Sequence, residues 1–297
     1  MTPSNAPATG WTPPRSPALS ALRTGMKLLA RLAPSLAARV AERIMLTPVR
    51  PKWPAAERAW LATAKLGTLL TRDLPQPEWN GQPMRTYQWG DGTRGNIVLL
   101  HGWGGRATQL HAFIAPLLEQ GFRVHAIDMP GHGASAGRQV TIVQGMNALE
   151  RLLLEVGKVD GLIAHSMGGG IAASVMARMP VGRAVLLAPS LDLVGYSHAV
   201  AKALALPEPV RAAVQHRLER RIERSWASLD ACHNAASLTL PGLVLHDVAD
   251  REVPFQAGAD LARAWPGATL HTTSGLGHRR ILQEPDVVDR CVAFLCA

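Results

Sequence analysis

The sequence predicts an α/β protein built on a doubly wound, mostly parallel sheet, with an inserted helical cap and an N-terminal helical extension. Three observations carry this. From Glu78 onward, short β-rich runs alternate with longer helical stretches, the order that parallel crossovers produce. Runs such as Ile97-Val98-Leu99-Leu100 are apolar throughout, as strands covered on both faces must be. One interval, residues 191–238, is far too long for an ordinary crossover and reads as several helices, hence a cap.

Taken in order, strands are expected near 84–89, 96–100, 122–127, 161–165, 184–188, 242–246 and 268–272. Helices fall between them near 106–119, 140–156, 168–178, 255–264 and 279–295. Before this region, Pro3, Pro7, Pro13, Pro14 and Pro17 stand among small polar residues, a composition that predicts disorder over 1–17. From Leu19, the residues Leu22, Met26, Leu29, Leu32, Leu36, Val40 and Ile44 recur at spacings of three and four. That stripe predicts an amphipathic helix with its apolar face turned to the protein, kinked or restarted at Pro34. Residues 55–70 read as another helix.

With 297 residues, 47% of them apolar and 18% charged, the chain can bury a substantial core and is neither disordered nor fibrous. Its net charge of +9 is confined to one end. Residues 1–72 carry eleven Lys and Arg against Glu42 and Glu57 alone, whereas the remainder holds twenty of each sign. The division expected is therefore a basic extension, 1–72, and a charge-balanced domain, 73–297, which argues against a nucleic-acid function for the domain.

Cys232, Cys291 and Cys296 form no CxxC pair and suit a reducing compartment as three free thiols. Basic residues interrupt every apolar stretch near the start, unlike a signal peptide, and the uncharged run 161–177 contains His165, Ser166 and three consecutive glycines, unlike a membrane span. A cytoplasmic protein is expected. No HExxH, paired-Cys or clustered-carboxylate pattern suggests a metal and no phosphate loop a nucleotide, so no cofactor is expected.

The chemistry concentrates at Ala164-His165-Ser166-Met167-Gly168, where a strand turns sharply into a helix. Such a turn lifts a serine Oγ clear of the sheet and needs small residues two positions to either side; Ala164 stands where glycine is usual. A glycine-rich turn can also hold a serine with no catalytic role. Further motifs give the pattern more weight: Leu99-Leu100-His101-Gly102-Trp103-Gly104-Gly105, Asp128-Met129-Pro130-Gly131-His132-Gly133-Ala134-Ser135, the run from Leu243 through His246-Asp247-Val248-Ala249-Asp250 to Val253-Pro254, and Gly275-Leu276-Gly277-His278. Together they resemble the α/β-hydrolase superfamily over roughly residues 83–297.

The resemblance implies Ser166 as nucleophile, His278 as general base and then acid, and Asp250 as the carboxylate that orients the imidazole. It implies an oxyanion hole from the backbone N–H groups of Trp103 and Met167, with the Trp103 side chain a pocket wall. Asp250 best fits the spacing before Val253-Pro254. Asp247 stands where the family commonly has glycine and is a second candidate acid; Asp192, after the strand at 184–188, is a third. His101, His132 and His165 are expected to fix loops.

The implied activity is hydrolysis of a small-molecule carboxylic ester or thioester through an acyl-enzyme. An acyltransferase using the same residues and a catalytically silent binding protein are the alternatives. In the cap, Arg217, Arg220, Arg221 and Arg224 with Glu219 and Glu223 are expected to form a solvated face. In the extension, Arg23, Lys27 and Arg31 lie four apart beside the apolar stripe. The expectation is that the stripe packs inward and the cations face water, with a weak peripheral membrane contact as the alternative.

Overall fold

The computed structural model describes residues 17–297; the segment expected to be disordered, 1–17, lies outside them apart from Pro17. Helix α1 (Pro17–Leu32) ends at Ala33, whose non-helical backbone (φ −147°, ψ 72°) separates it from α2 (Pro34–Leu46), where Pro34 takes the first-turn position that needs no amide donor. The stripe expected to face inward is split: Met26 is buried and Leu29 and Val40 pack against the core, as expected, but the other four residues lie outside. Met26, Ala30, Ala37, Ala38, Ala41, Met45 and Leu46 are buried, while Leu22, Leu32, Leu36 and Ile44 are exposed. Small residues let α2 pack closely on another helix. Its buried Glu42 meets two arginines there, which fixes the helix's rotation about its axis.

The expected helix over 55–70 is a shorter α3 (Ala55–Thr63) followed by a strand, β1 (Lys65–Leu70). Gly67 and Thr68 are poor helix residues, and β1 gains an antiparallel ladder with β2 (Pro83–Trp89), running from Lys65 opposite Gln88 to Leu70 opposite Pro83. As an edge strand it buries little. The apolar alternation that would have announced it is correspondingly faint.

The remaining elements follow the expected alternation: β3 (Gly95–Leu100), a 3₁₀ stretch leading into α4 (Ile114–Glu119), β4 (Phe122–Ile127), α5 (Ile142–Val156), β5 (Gly161–His165), α6 (Met167–Met176) and β6 (Arg183–Leu187). A capping box between Thr141 and Gln144 starts α5. Between β6 and β7 (Gly242–Asp247) the interval expected to form a cap contains α7 (Leu193–Leu204), α8 (Glu208–Ile222) and α9 (Ala231–Ala235). Then come α10 (Phe255–Ala264), β8 (Ala268–Thr273), α11 (Gly277–Arg280) and α12 (Pro285–Cys296). Pro285 begins a new helix and so divides the single one expected over 279–295.

The eight strands form one sheet in the order β1-β2-β4-β3-β5-β6-β7-β8, parallel from β4 onward. Alternate residues of β3 feed two cores: Val98 and Leu100 pack with Leu149 and Ile171, whereas Ile97 and Leu99 pack with Phe113, Leu117 and Cys291. This is the doubly wound arrangement. The chain steps from β3 outward to β4 and then back across to β5, so the strand order reverses between β3 and β5. Ligands of open α/β sheets bind at the carboxyl ends of strands flanking such a reversal.

Of the arginines in the interval between β6 and β7, Arg220 and Arg224 are exposed as expected, but Arg217 and Arg221 depart from a solvated face. Arg217 and Arg221 donate to Glu42 of α2 at 2.8 and 3.2 Å, and Arg23 of α1 donates to the carbonyls of Lys202 and Ala203 at 3.0 Å each. The N-terminal helices and the helices between β6 and β7 are thus tied to each other.

Candidate active site

Ser166 occupies the turn from β5 into α6 with φ 54° and ψ −126°, a backbone state costly for any residue with a Cβ. The turn is held by the Ser166 amide donating to the Leu187 carbonyl at 2.9 Å and by very close approaches around it. A Cβ on Gly168 would lie 2.4 Å from the His101 carbonyl oxygen, and one on Gly102 would lie 2.8 Å from the Ser166 Cβ. Only glycine fits at either point. The loop after β3 is thereby pressed against the serine, while Ala164, fully buried, is small enough to replace glycine.

His278, on α11 beyond the last strand, is brought to this turn. Its Nε2 lies 3.0 Å from the Ser166 Oγ and its Nδ1 lies 2.8 Å from the Asp250 Oδ2. Nδ1–H donates to the carboxylate, which leaves Nε2 to accept from the serine hydroxyl. The other Asp250 oxygen accepts the amides of Glu252 and Val253 at 2.8 and 2.9 Å. Burial by itself raises the Asp250 carboxyl, but hydrogen bonds from His246 and His278, with the imidazole charge and the Val253 amide, hold it well below the usual carboxylate range.

The two other candidate acids lie elsewhere. Asp247 accepts from the Thr273 hydroxyl at 2.8 Å and from the amides of Leu276 and Ala249 at 2.9 Å each. It ties the end of β7 to the loop that carries His278. Asp192 caps α7, accepting the Gly195 amide at 2.7 Å.

Three further histidines surround the site without touching the serine oxygen. The His165 Nε2–H donates to the His278 carbonyl at 3.0 Å, steadying the backbone of the neighbouring imidazole. His101 donates to the Gly102 carbonyl through Nδ1 and accepts the Met129 amide at Nε2. His132 donates to the Pro130 carbonyl. Burial depresses all three, to about 3 for His165, about 4 for His101 and about 3 for His132, so they are neutral imidazoles.

Three groups of contacts go beyond what the sequence predicts. The Trp103 ring stands 5.3 Å from His132 and 6.3 Å from Tyr196 of α7, so an aromatic group from the cap interval joins the wall beside the loop after β3. The His246 Nε2–H approaches both the Val253 carbonyl, at 3.2 Å, and the Asp250 Oδ2, at 3.4 Å. A buried ion pair joins Arg106, three residues after Trp103, to Glu57 of α3 at 2.5 Å, and the same guanidinium donates to the Pro51 carbonyl at 2.9 Å. Only the scarcity of acids in the extension could have drawn attention to Glu57.

A separate open trough of about 990 Å³ lies between β8 and α12, lined in part by His271, Leu276, Glu284 and Phe294, and none of Ser166, Asp250 or His278 borders it. Among the described residues, no group of His, Cys, Asp and Glu side chains is arranged to hold a metal ion, and the three cysteines are free.

Comparison with known proteins gives this geometry a context. A monoacylglycerol lipase of Mycolicibacterium smegmatis is 30% identical over 235 residues, covering 65% of this chain and 84% of that protein. A pimeloyl-[acyl-carrier protein] methyl ester esterase of Aromatoleum aromaticum is 26% identical, covering 65% of this chain and 94% of the relative. A Sodalis glossinidius esterase of the same name is 38% identical over 95 residues, a stretch spanning 34% of its length. Among solved structures, an esterase from Pyrococcus furiosus superposes with a TM-score of 0.62 at 18% identity, over 84% of this chain and 97% of its own, a likeness of fold. Residues 97–290, which include Ser166, Asp250 and His278, match the alpha/beta hydrolase family, and with the lipase aligned over most of its length this chain belongs to that family.

Proposed function

We propose that the protein is a serine hydrolase that cleaves a carboxylic ester or thioester through an acyl-enzyme on Ser166. The observation that carries the proposal is the unbroken chain from the Ser166 Oγ through His278 to Asp250, with contacts of 3.0 and 2.8 Å. Ser166 Oγ attacks the acyl carbon while its proton passes to His278 Nε2. The oxyanion is received by the backbone N–H groups of Met167 and Trp103, a position supported by the close approach of Gly102 to Ser166. Each such donor is worth about 3 kcal/mol in comparable sites. Collapse of the tetrahedral adduct breaks the bond to the alcohol or thiol, which leaves with the proton from His278 Nε2. Water then gives a proton to the same nitrogen and attacks the acyl carbon, and the returning proton restores Ser166 as the acid departs.

Asp250 stays ionised throughout and stabilises the imidazolium that forms in both halves of the cycle. Steady-state hydrolysis of a series of p-nitrophenyl esters and acyl thioesters by wild type and Ser166→Ala tests the proposal. Turnover is expected in the wild type and a fall on the order of 10⁴-fold or more in the variant. Wild-type rates in Ser166→Ala contradict it.

A further inference from the structure

We propose that the outward face of α1 and α2 docks on an anionic phospholipid bilayer. The extension has already completed its inward packing through Met26, Ala30, Ala37, Ala38, Ala41 and Met45, the Arg23 hydrogen bonds and the Glu42 ion pairs. What it leaves outside is unusually apolar. Of the thirteen exposed large apolar or aromatic side chains among the described residues, six lie within 17–50: Leu22, Leu28, Leu32, Leu36, Ile44 and Val49. Leu32 is 76% exposed and Leu28 55%.

Helical spacing places these leucines beside cations. Leu28 and Leu32 lie on the side of α1 away from Met26 and Ala30, flanked by Lys27 and Arg31, and Leu36 shares the outer side of α2 with Arg39 and Arg43. Both acids of the described extension are turned inward, Glu42 toward Arg217 and Arg221 and Glu57 toward Arg106. Among the described residues no carboxylate pairs with Lys27, Arg31, Arg39 or Arg43, so this face presents leucines and positive charge alone.

That combination matches a negatively charged lipid surface, in which leucines enter the acyl boundary and Lys and Arg remain at headgroup depth. A second copy of the chain would bring like charges together. No helix among the described residues is long and apolar enough to cross a membrane, so the contact is one of lying on the surface. Residues 18–52 contain no aromatic side chain, and binding therefore depends on anionic headgroups more than on interfacial anchoring.

The face continues toward the catalytic edge. Val49 is 75% exposed, and its carbonyl oxygen lies 3.4 Å from where a side chain on Gly104, next to Trp103, would begin. Arg50 pins the same strap by donating to the carbonyls of Gly131, Ser135 and Gly137 at 2.7, 2.8 and 2.8 Å.

The test is co-sedimentation of the full chain with phosphatidylcholine vesicles, with and without about one-third phosphatidylglycerol. Binding is expected only with the anionic lipid and should weaken by about tenfold or more as salt rises to roughly 0.5 M. Leu28→Asp/Leu32→Asp/Leu36→Asp and Lys27→Glu/Arg31→Glu should each weaken binding by about tenfold or more, with thermal melting unchanged because the side chains are exposed. No binding by wild type, equal binding to both vesicle types, or unchanged binding by both variants would overturn the proposal. So would a wild-type dimer in light scattering that the leucine variant converts to monomer, which would give the face to a second copy. Vesicle binding is read without substrate, and Ser166→Ala should bind as wild type does, so failure here and failure of the hydrolase reading are separable.

Discussion

Asp128 and Asp250 both stand just past the carboxyl end of a parallel strand, with side chains shielded from solvent, yet their surroundings act on them in opposite directions. Asp128 accepts from the Tyr87 hydroxyl and the amides of Ala107 and Ala134 at 2.7, 2.7 and 2.8 Å, and burial raises its carboxyl above the ordinary value despite these donors. Asp250 gives one oxygen to backbone amides and the other to imidazoles, which hold it low. Both are satisfied, so satisfaction does not mark the one proposed to be catalytic. The difference is that Asp250 is bonded to a group able to take up a proton, whereas every donor to Asp128 is neutral and belongs to the scaffold.

Asp250→Asn offers the sharpest break between the two regions. An amide cannot select the Nδ1–H tautomer of His278, and kcat should fall by about 10³–10⁴-fold with thermal stability little changed. A loss under about tenfold, measured on any ester the wild type turns over, would remove Asp250 from the proposed role.

Acid should next act on neutral histidines in both regions. His101 and His132, close to Asp128, and His165 are held at about 4, 3 and 3, against about 6.5 in an unfolded chain. Between those limits the unfolded chain binds more protons, so stability is full above about pH 6.5 and is lost as pH falls toward 4. Urea melts across that range should show the fall. A flat profile would mean that these rings are charged or hydrated in the native state.

A smaller effect is expected at Asp247, which shares its loop with Asp250. Asp247→Ala frees the Leu276 amide and the Thr273 hydroxyl from the loop that carries His278. We expect about a tenfold loss in kcat with KM nearly constant, and a stability loss of about 1–3 kcal/mol. A loss as large as that of Asp250→Asn would instead make Asp247 the acid. Asp128→Asn should have the smallest effect on turnover, within about threefold, with its cost appearing as about 1–3 kcal/mol of stability.

How much of this could be read from the residues depends on what made each feature. Seven strands and the turn at Ser166 were legible because apolar or β-branched runs and a serine between small residues leave direct marks in the sequence. Strand β1 was not, since its conformation comes from pairing with β2 and its own side chains are mostly exposed. In α1 the expected face, Met26 with Leu29, does turn inward, but in α2 Leu36 and Ile44 of the stripe lie outside, for a related reason. Periodicity identifies an apolar stripe but not which face a neighbour will accept, and here close packing and the Glu42 ion pairs selected the alanine face. Spacing left three acids open for His278; distance distinguishes them, because only Asp250 of the three lies within hydrogen-bond reach.

The central claim, that the Ser166 oxygen is activated by His278 and Asp250, is tested most directly by intact-mass analysis after incubation with a fluorophosphonate probe. Wild type should gain a single adduct, Ser166→Ala none, and Asp250→Asn an adduct that forms far more slowly. An adduct retained in Ser166→Ala, or no adduct on folded wild type, would contradict it.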